Sequence, residues 1–113
     1  MMKTKEKKTY QNQSAGPVSA MLENIVGCKW SLRVMELIRQ ENNRPGEMQR
    51  KTPGLSTKVL NERLNKLMRF GILEKTIFPV TPPHVEYKFT NFGMKFSKLL
   101  DQVAVLQKEI EDV

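Results

Sequence analysis

The stretch Pro53-Gly54-Leu55-Ser56-Thr57-Lys58-Val59-Leu60-Asn61-Glu62-Arg63-Leu64-Asn65-Lys66-Leu67-Met68-Arg69 decides the fold. A Pro-Gly turn leads into Ser56, a side chain suited to accept the first free amides of a helix. Leu60, Leu64 and Leu67 then recur at helical spacing and make a stripe that must be buried. The opposite side carries Lys58, Asn61, Glu62, Asn65 and Arg69, with Thr57 and Lys66 at its margins. Amides and cations turned outward on a short helix are the groups that pair with base edges and phosphates.

Working outward, the preceding chain is helical and the following chain extended. Val18, Met21, Leu22 and Ile25 predict a first helix that ends near Gly27. Trp30 to Gln40 predicts a second, with Trp30, Val34, Leu37 and Ile38 on one face and Asn42-Asn43 closing it. Arg44-Pro45-Gly46 opens a short third helix containing Met48. The turn at Pro53-Gly54 then sets helices three and four in the proportions of a helix-turn-helix. Gly71 ends the fourth helix, and Ile72 to Phe78 predicts a strand. Pro79 to Pro83 must be a loop, because its three prolines cannot feed a ladder. Val85, Tyr87 and Phe89 alternate with Glu86 and Lys88 as in a strand with one buried face. The hairpin is the wing of a winged helix. Thr90 caps a last helix running towards Val113, despite Gly93 near its start. There Phe92, Phe96, Leu99, Val103, Leu106 and Ile110 follow four-three spacing.

The 113 residues predict one domain with a modest core. The fold class is α+β: a winged helix-turn-helix over residues 18–113, preceded by a mobile basic arm over 1–17. A core this small has difficulty covering the last stripe over its full length. An isologous homodimer, with the helices at 18–26 and 91–111 packing on their symmetry mates, would bury it. Its expected contacts are Val18, Met21, Leu22, Ile25, Phe92, Phe96, Leu99, Val103, Leu106 and Ile110. A dimer also presents two recognition helices to a palindromic site.

Charge follows the same division. The formal net charge is +7. Residues 1–17 hold four Lys against one Glu, and residues 41–75 hold eight Lys or Arg against four Glu. Residues 91–113 hold three Lys against four acidic side chains. Positive charge thus collects on the arm and around the recognition segment, as double-stranded DNA requires of a partner. Thr57, Lys58 and Asn61, near the start of the fourth helix, are the expected base readers. Ser56, Arg63, Lys66, Arg69, Lys75 and His84 are the expected backbone contacts. Trp30, Phe70, Phe78, Tyr87 and Phe89 lack the exposed pattern of a single-strand binder and are assigned to the core.

Catalysis finds no support. The one His and one Cys lie 56 positions apart, and there is no glycine-rich phosphate loop, zinc-ligand spacing or paired acidic cluster. The sequence therefore predicts no enzyme, no cofactor and no metal. One cysteine permits no internal disulfide, and no apolar run approaches the roughly 20 residues that cross a bilayer. A cytoplasmic location without membrane association is the expectation. Cys28, beside Lys29 near a helix start, is a redox candidate, with simple packing the alternative. A winged helix serving protein interaction or RNA binding is the alternative to operator recognition. A small-molecule effector in the crevice between dimer helices and DNA-binding core fits the pattern, although no residue identifies one.

The order of local motifs adds a family likeness. Val18 to Ile25 is followed by Gly27-Cys28-Lys29-Trp30, then Pro53-Gly54-Leu55-Ser56. Leu60, Arg63-Leu64, Leu67 and Gly71-Ile72-Leu73 come next. Last is Pro82-Pro83-His84-Val85-Glu86-Tyr87, with Thr90 and Gly93 behind it. Over about residues 17–107 this resembles the HxlR family of bacterial winged-helix transcription regulators. The resemblance implies a homodimer that binds operator DNA and represses. It matches Lys29-Trp30 to the start of the family's second helix, and Ser56, Lys58 and Arg63 to its recognition helix. Two departures stand out. Gly16 occupies the place where many relatives carry a cysteine, which removes the usual redox switch. Arg44-Pro45 stands where relatives often have Arg-Phe, which predicts a change in the third helix's first turn.

Overall fold

Local signals set the element boundaries in the computed structural model, which describes residues 7–10 and 16–112. Its elements run β1 (Lys8–Tyr10), α1 (Val18–Val26), α2 (Lys29–Arg39), α3 (Pro45–Lys51), α4 (Thr57–Arg69), β2 (Leu73–Phe78), β3 (His84–Phe89) and α5 (Asn91–Glu111). Ser56 caps α4 by accepting from the Val59 amide at 3.1 Å. Gly71 ends it with a positive φ of 73°. Its amide donates to Met68 O and the Ile72 amide to Leu67 O, at 2.9 and 3.0 Å, the paired bonds of a Schellman turn. The same turn closes α2 through Glu41 (φ 67°), whose amide and that of Asn42 reach Ile38 O and Leu37 O. Sequence assigns that ending to Asn42-Asn43; the left-handed position falls one residue earlier, on a glutamate. Pro45 occupies the first turn of α3, where its missing N–H is no loss, so the Arg-Pro departure leaves that helix intact.

α1, α2 and α4 pack around a core that β2, β3 and the first turns of α5 close. Val34, Leu37, Leu60, Leu64, Leu67, Ile72 and Leu73 are fully or almost fully buried within it. Each such side chain contributes about 1.5–3 kcal/mol of burial. The leucine stripe of α4 therefore fixes the rotation of that helix and decides which residues face outward. Asn43 O accepts the Tyr87 amide at 2.9 Å, and Arg39 of α2 reaches Asp101 Oδ1 at 2.7 Å and Ser97 of α5.

Three expectations are corrected. Met21 and Ile25 of α1 and Phe96 of α5, assigned to a dimer interface, are buried in the domain's own core. Helical periodicity marks an apolar face without saying whose surface covers it. Leu22 is half-buried against the same core. Second, Lys8–Tyr10 of the expected mobile arm form an edge strand; residues 1–6 and 11–15 lie outside the described residues. β1 pairs antiparallel with β2, giving a three-stranded sheet of order β1-β2-β3. Thr9 and Tyr10 are strand-favouring types, and the open edge of β2 supplies the pairing groups. Third, Phe78 leaves the core group: it faces His84 edge-on at 4.9 Å, with the Lys7 ammonium 5.6 Å from its centroid.

Candidate nucleic-acid interface

The outer face of α4 is built from its inner one. With Leu60, Leu64 and Leu67 anchored, Thr57, Lys58, Asn61, Glu62 and Asn65 are all exposed. The helix start is held by its neighbours. Gln49 of α3 donates its side-chain amide to Thr57 Oγ1 at 3.0 Å. Arg33 of α2 donates Nε to Thr52 Oγ1 and Nη2 to Lys51 O, both at 3.1 Å, and so occupies the carbonyl end of α3. Gly54 takes a φ of 92° in the turn between α3 and α4, a conformation that favours glycine. The geometry presents two amides, a hydroxyl and an ammonium on one rigid surface.

The expected backbone contacts separate into those left facing outward and those turned inward. Ser56 is exposed and already serves as the cap. Arg69 is exposed at the far end of α4. Lys75 is half-buried in β2, between Tyr10 and Tyr87 across the two ladders. Three others also lie against neighbouring elements of the protein. Lys66 donates to Asn24 O at 3.3 Å, in the last turn of α1, where a cation meets the negative end of that helix. Arg63 lies on the same flank, half-buried near the Cys28 thiol, with Nε buried and without a hydrogen-bond partner among the described residues. His84 is engaged at both ring nitrogens: Arg44 donates to Nδ1, and Nε2 donates to Glu86 Oε2 at 2.6 Å. This pinning joins the start of α3 to the wing. Sequence misses Arg44 and Gln49 because neither contact leaves a trace in local spacing.

Cys28 is half-buried at the amino end of α2. Burial pushes its thiol up. The hydroxyl and amide of Ser31 and the positive charges of Arg63 and Lys66 outweigh that effect and leave it below the ordinary thiol value. Among the described residues no group of His, Cys, Asp and Glu could hold a metal ion, and no helix is long and apolar enough to cross a membrane.

Apolar side chains are also exposed on α1 and α5. Val18 of α1 is 41% exposed, and Leu99, Leu106 and Ile110 of α5 are 39%, 61% and 69% exposed. Phe92 is exposed as well, and Val103 is half-buried between them. Val105, Met94 and Val26 add exposed apolar area that the four-three stripe does not include.

Comparison with known proteins agrees with this geometry. The sequence profile of the HxlR-like helix-turn-helix family matches residues 25–112. The HTH-type transcriptional regulator YtfH of Escherichia coli (strain K12) is 33% identical over 95 residues, covering 84% of this chain and 72% of that protein. A solved structure assigned to the MarR family of transcriptional regulators, from Enterococcus faecalis V583, superposes with a TM-score of 0.73. It is 28% identical and covers 84% of this chain and 86% of its own. The structure of ytfH from Salmonella typhimurium, 34% identical, superposes with a TM-score of 0.65 and covers 84% and 81%. These proteins carry the names of transcriptional regulators, not enzymes.

Proposed function

The chain belongs to the HxlR-like helix-turn-helix family, and from that premise we propose that it is a sequence-specific repressor that binds a palindromic operator as a homodimer. It is a winged helix-turn-helix regulator rather than an enzyme. The observation that carries the proposal is the α4 surface: Thr57, Lys58 and Asn61 stand exposed on one face of a helix whose opposite face is locked into the core. Asn61 can pair bidentately with adenine, Lys58 can donate to guanine acceptors, and Thr57 can meet a thymine methyl. Ser56, Arg69 and Lys75 supply backbone contacts that set the register. Val18, Phe92, Leu99, Val103, Leu106 and Ile110 form the dimer seam, bringing the two α4 helices to one face of the duplex. Repression is the regulatory sense that the family resemblance implies.

Selection of bound duplexes from a random-sequence pool tests the reading. It should enrich an inverted repeat whose half-sites lie about one helical turn apart. Lys58→Ala with Asn61→Ala should erase the preference at the contacted positions, each worth about 1–3 kcal/mol, while weak salt-sensitive binding persists. A pool that never departs from random sequence would count against operator recognition.

A further inference from the structure

We propose that β1 is a third, lysine-bearing strand of the wing, placing Lys7 and Lys8 on the phosphates that flank the operator. The inference rests on the operator reading above and extends it to an element that family-like wings, read from sequence, do not announce.

The register decides where these lysines go. Lys8 is opposite Ile77, Thr9 opposite Thr76 and Tyr10 opposite Lys75. Because the pairing is antiparallel, the chain ahead of Lys8 runs towards the wing tip. Lys7 accordingly sits beside Phe78, the last residue of β2, with its ammonium over that ring. A bond of 3.0 Å between the Thr9 and Thr76 hydroxyls fixes the pairing. Apolar burial does not explain the strand: Lys7, Lys8, Thr9 and Tyr10 are all exposed.

Its surroundings are electropositive. The adjoining cations are Lys75 and Lys88 on the wing and Arg44 and Arg50 across from it; the acidic side chains are Glu74 and Glu86 on the wing and Glu47 across from it. Glu86 is already paired with His84. With α4 in the major groove, the wing that follows it through the tight Gly71 turn lies along the adjoining backbone. Lys7 at the tip and Lys8 one position on, which project to opposite faces of the sheet, each expose an ammonium group suited to phosphate, which positions without reading sequence. Lysines on an edge strand also discourage edge-to-edge association, so the experiment must separate that role from DNA contact.

Full-length protein and the Lys7→Ala/Lys8→Ala variant are titrated with the selected duplex across a salt series. The variant should bind more weakly, with a log-log salt slope shallower by about 0.9 for each phosphate no longer neutralised. Lys7→Arg/Lys8→Arg should restore the slope. Lys98→Ala/Lys108→Ala, which removes the same charge from α5, should leave it unchanged. A duplex trimmed at its flanks should abolish the wild-type advantage. Thermal unfolding should be alike for all variants, since the altered side chains are exposed. A double alanine variant with wild-type affinity and slope overturns the proposal, and self-association in that variant would assign the lysines to edge protection instead. If the wild type itself binds no duplex selectively, the operator reading fails first and takes this proposal with it.

Discussion

Gly93 looks in the sequence like a weak point in the last helix, yet it is the residue that helix can least exchange. A Cβ there would stand 1.9 Å from Ile72 O, against backbone that cannot rotate away. Thr90 holds the same junction, accepting from the Gly93 amide at 2.9 Å and donating to Gly71 O at 2.5 Å. Gly93→Ala should therefore cost about 1–3 kcal/mol, the usual range for overpacking, and show as a lower midpoint in urea unfolding. Tolerance of alanine would mean that α5 does not approach Ile72 so closely. At this scale the sequence is most legible where chemistry is local: the Ser56 cap, the left-handed Gly71 and the leucine stripe. It is silent where a partner comes from afar. Nothing near Lys66 announces Asn24 O, and nothing near His84 announces Arg44. Those contacts give both residues a part in the scaffold that the sequence does not show.

At the scale of elements, the end of α2 shows how a boundary can be sensed and still misplaced. Two asparagines signal an ending, but Glu41 takes the left-handed turn, with its carboxylate near the negative end of the helix dipole. Glu41→Gly should raise stability by about 0.5–1 kcal/mol, through relief of the strained backbone and of that charge. Chemical denaturation checks it, and a loss of stability would show that Glu41 holds a favourable contact. Four of the helices and the wing hairpin are legible because their periods persist, and short α3 because Pro45 and Gly46 open it and Pro53-Gly54 follow it. β1 is not, because three residues carry no period and their partner strand lies 67 positions away. α1 misleads for a different reason. Its amphipathic pattern is real, but Met21 and Ile25 spend it on the core, leaving Val18 and part of Leu22 for any further contact.

The molecule as a whole is elongated, 66 × 32 × 21 Å. α5, a helix of 21 residues, spans about 31 Å. Its first turns close the core through Phe96, whereas Leu106 and Ile110 lie exposed towards its other end. Apolar area displayed at that end of a basic chain is the feature a symmetric partner would bury, and symmetry would also pair the two α4 surfaces. Operator binding by a homodimer is measured most directly by a footprint on the selected duplex, taken together with the mass of the complex in solution. A homodimeric operator binder places two chains on each duplex and protects two patches about one helical turn apart. Leu106→Glu with Ile110→Glu should yield a monomer that loses the paired footprint. A wild-type monomer protecting a single patch, or equal protection of scrambled DNA, would contradict operator binding by a homodimer.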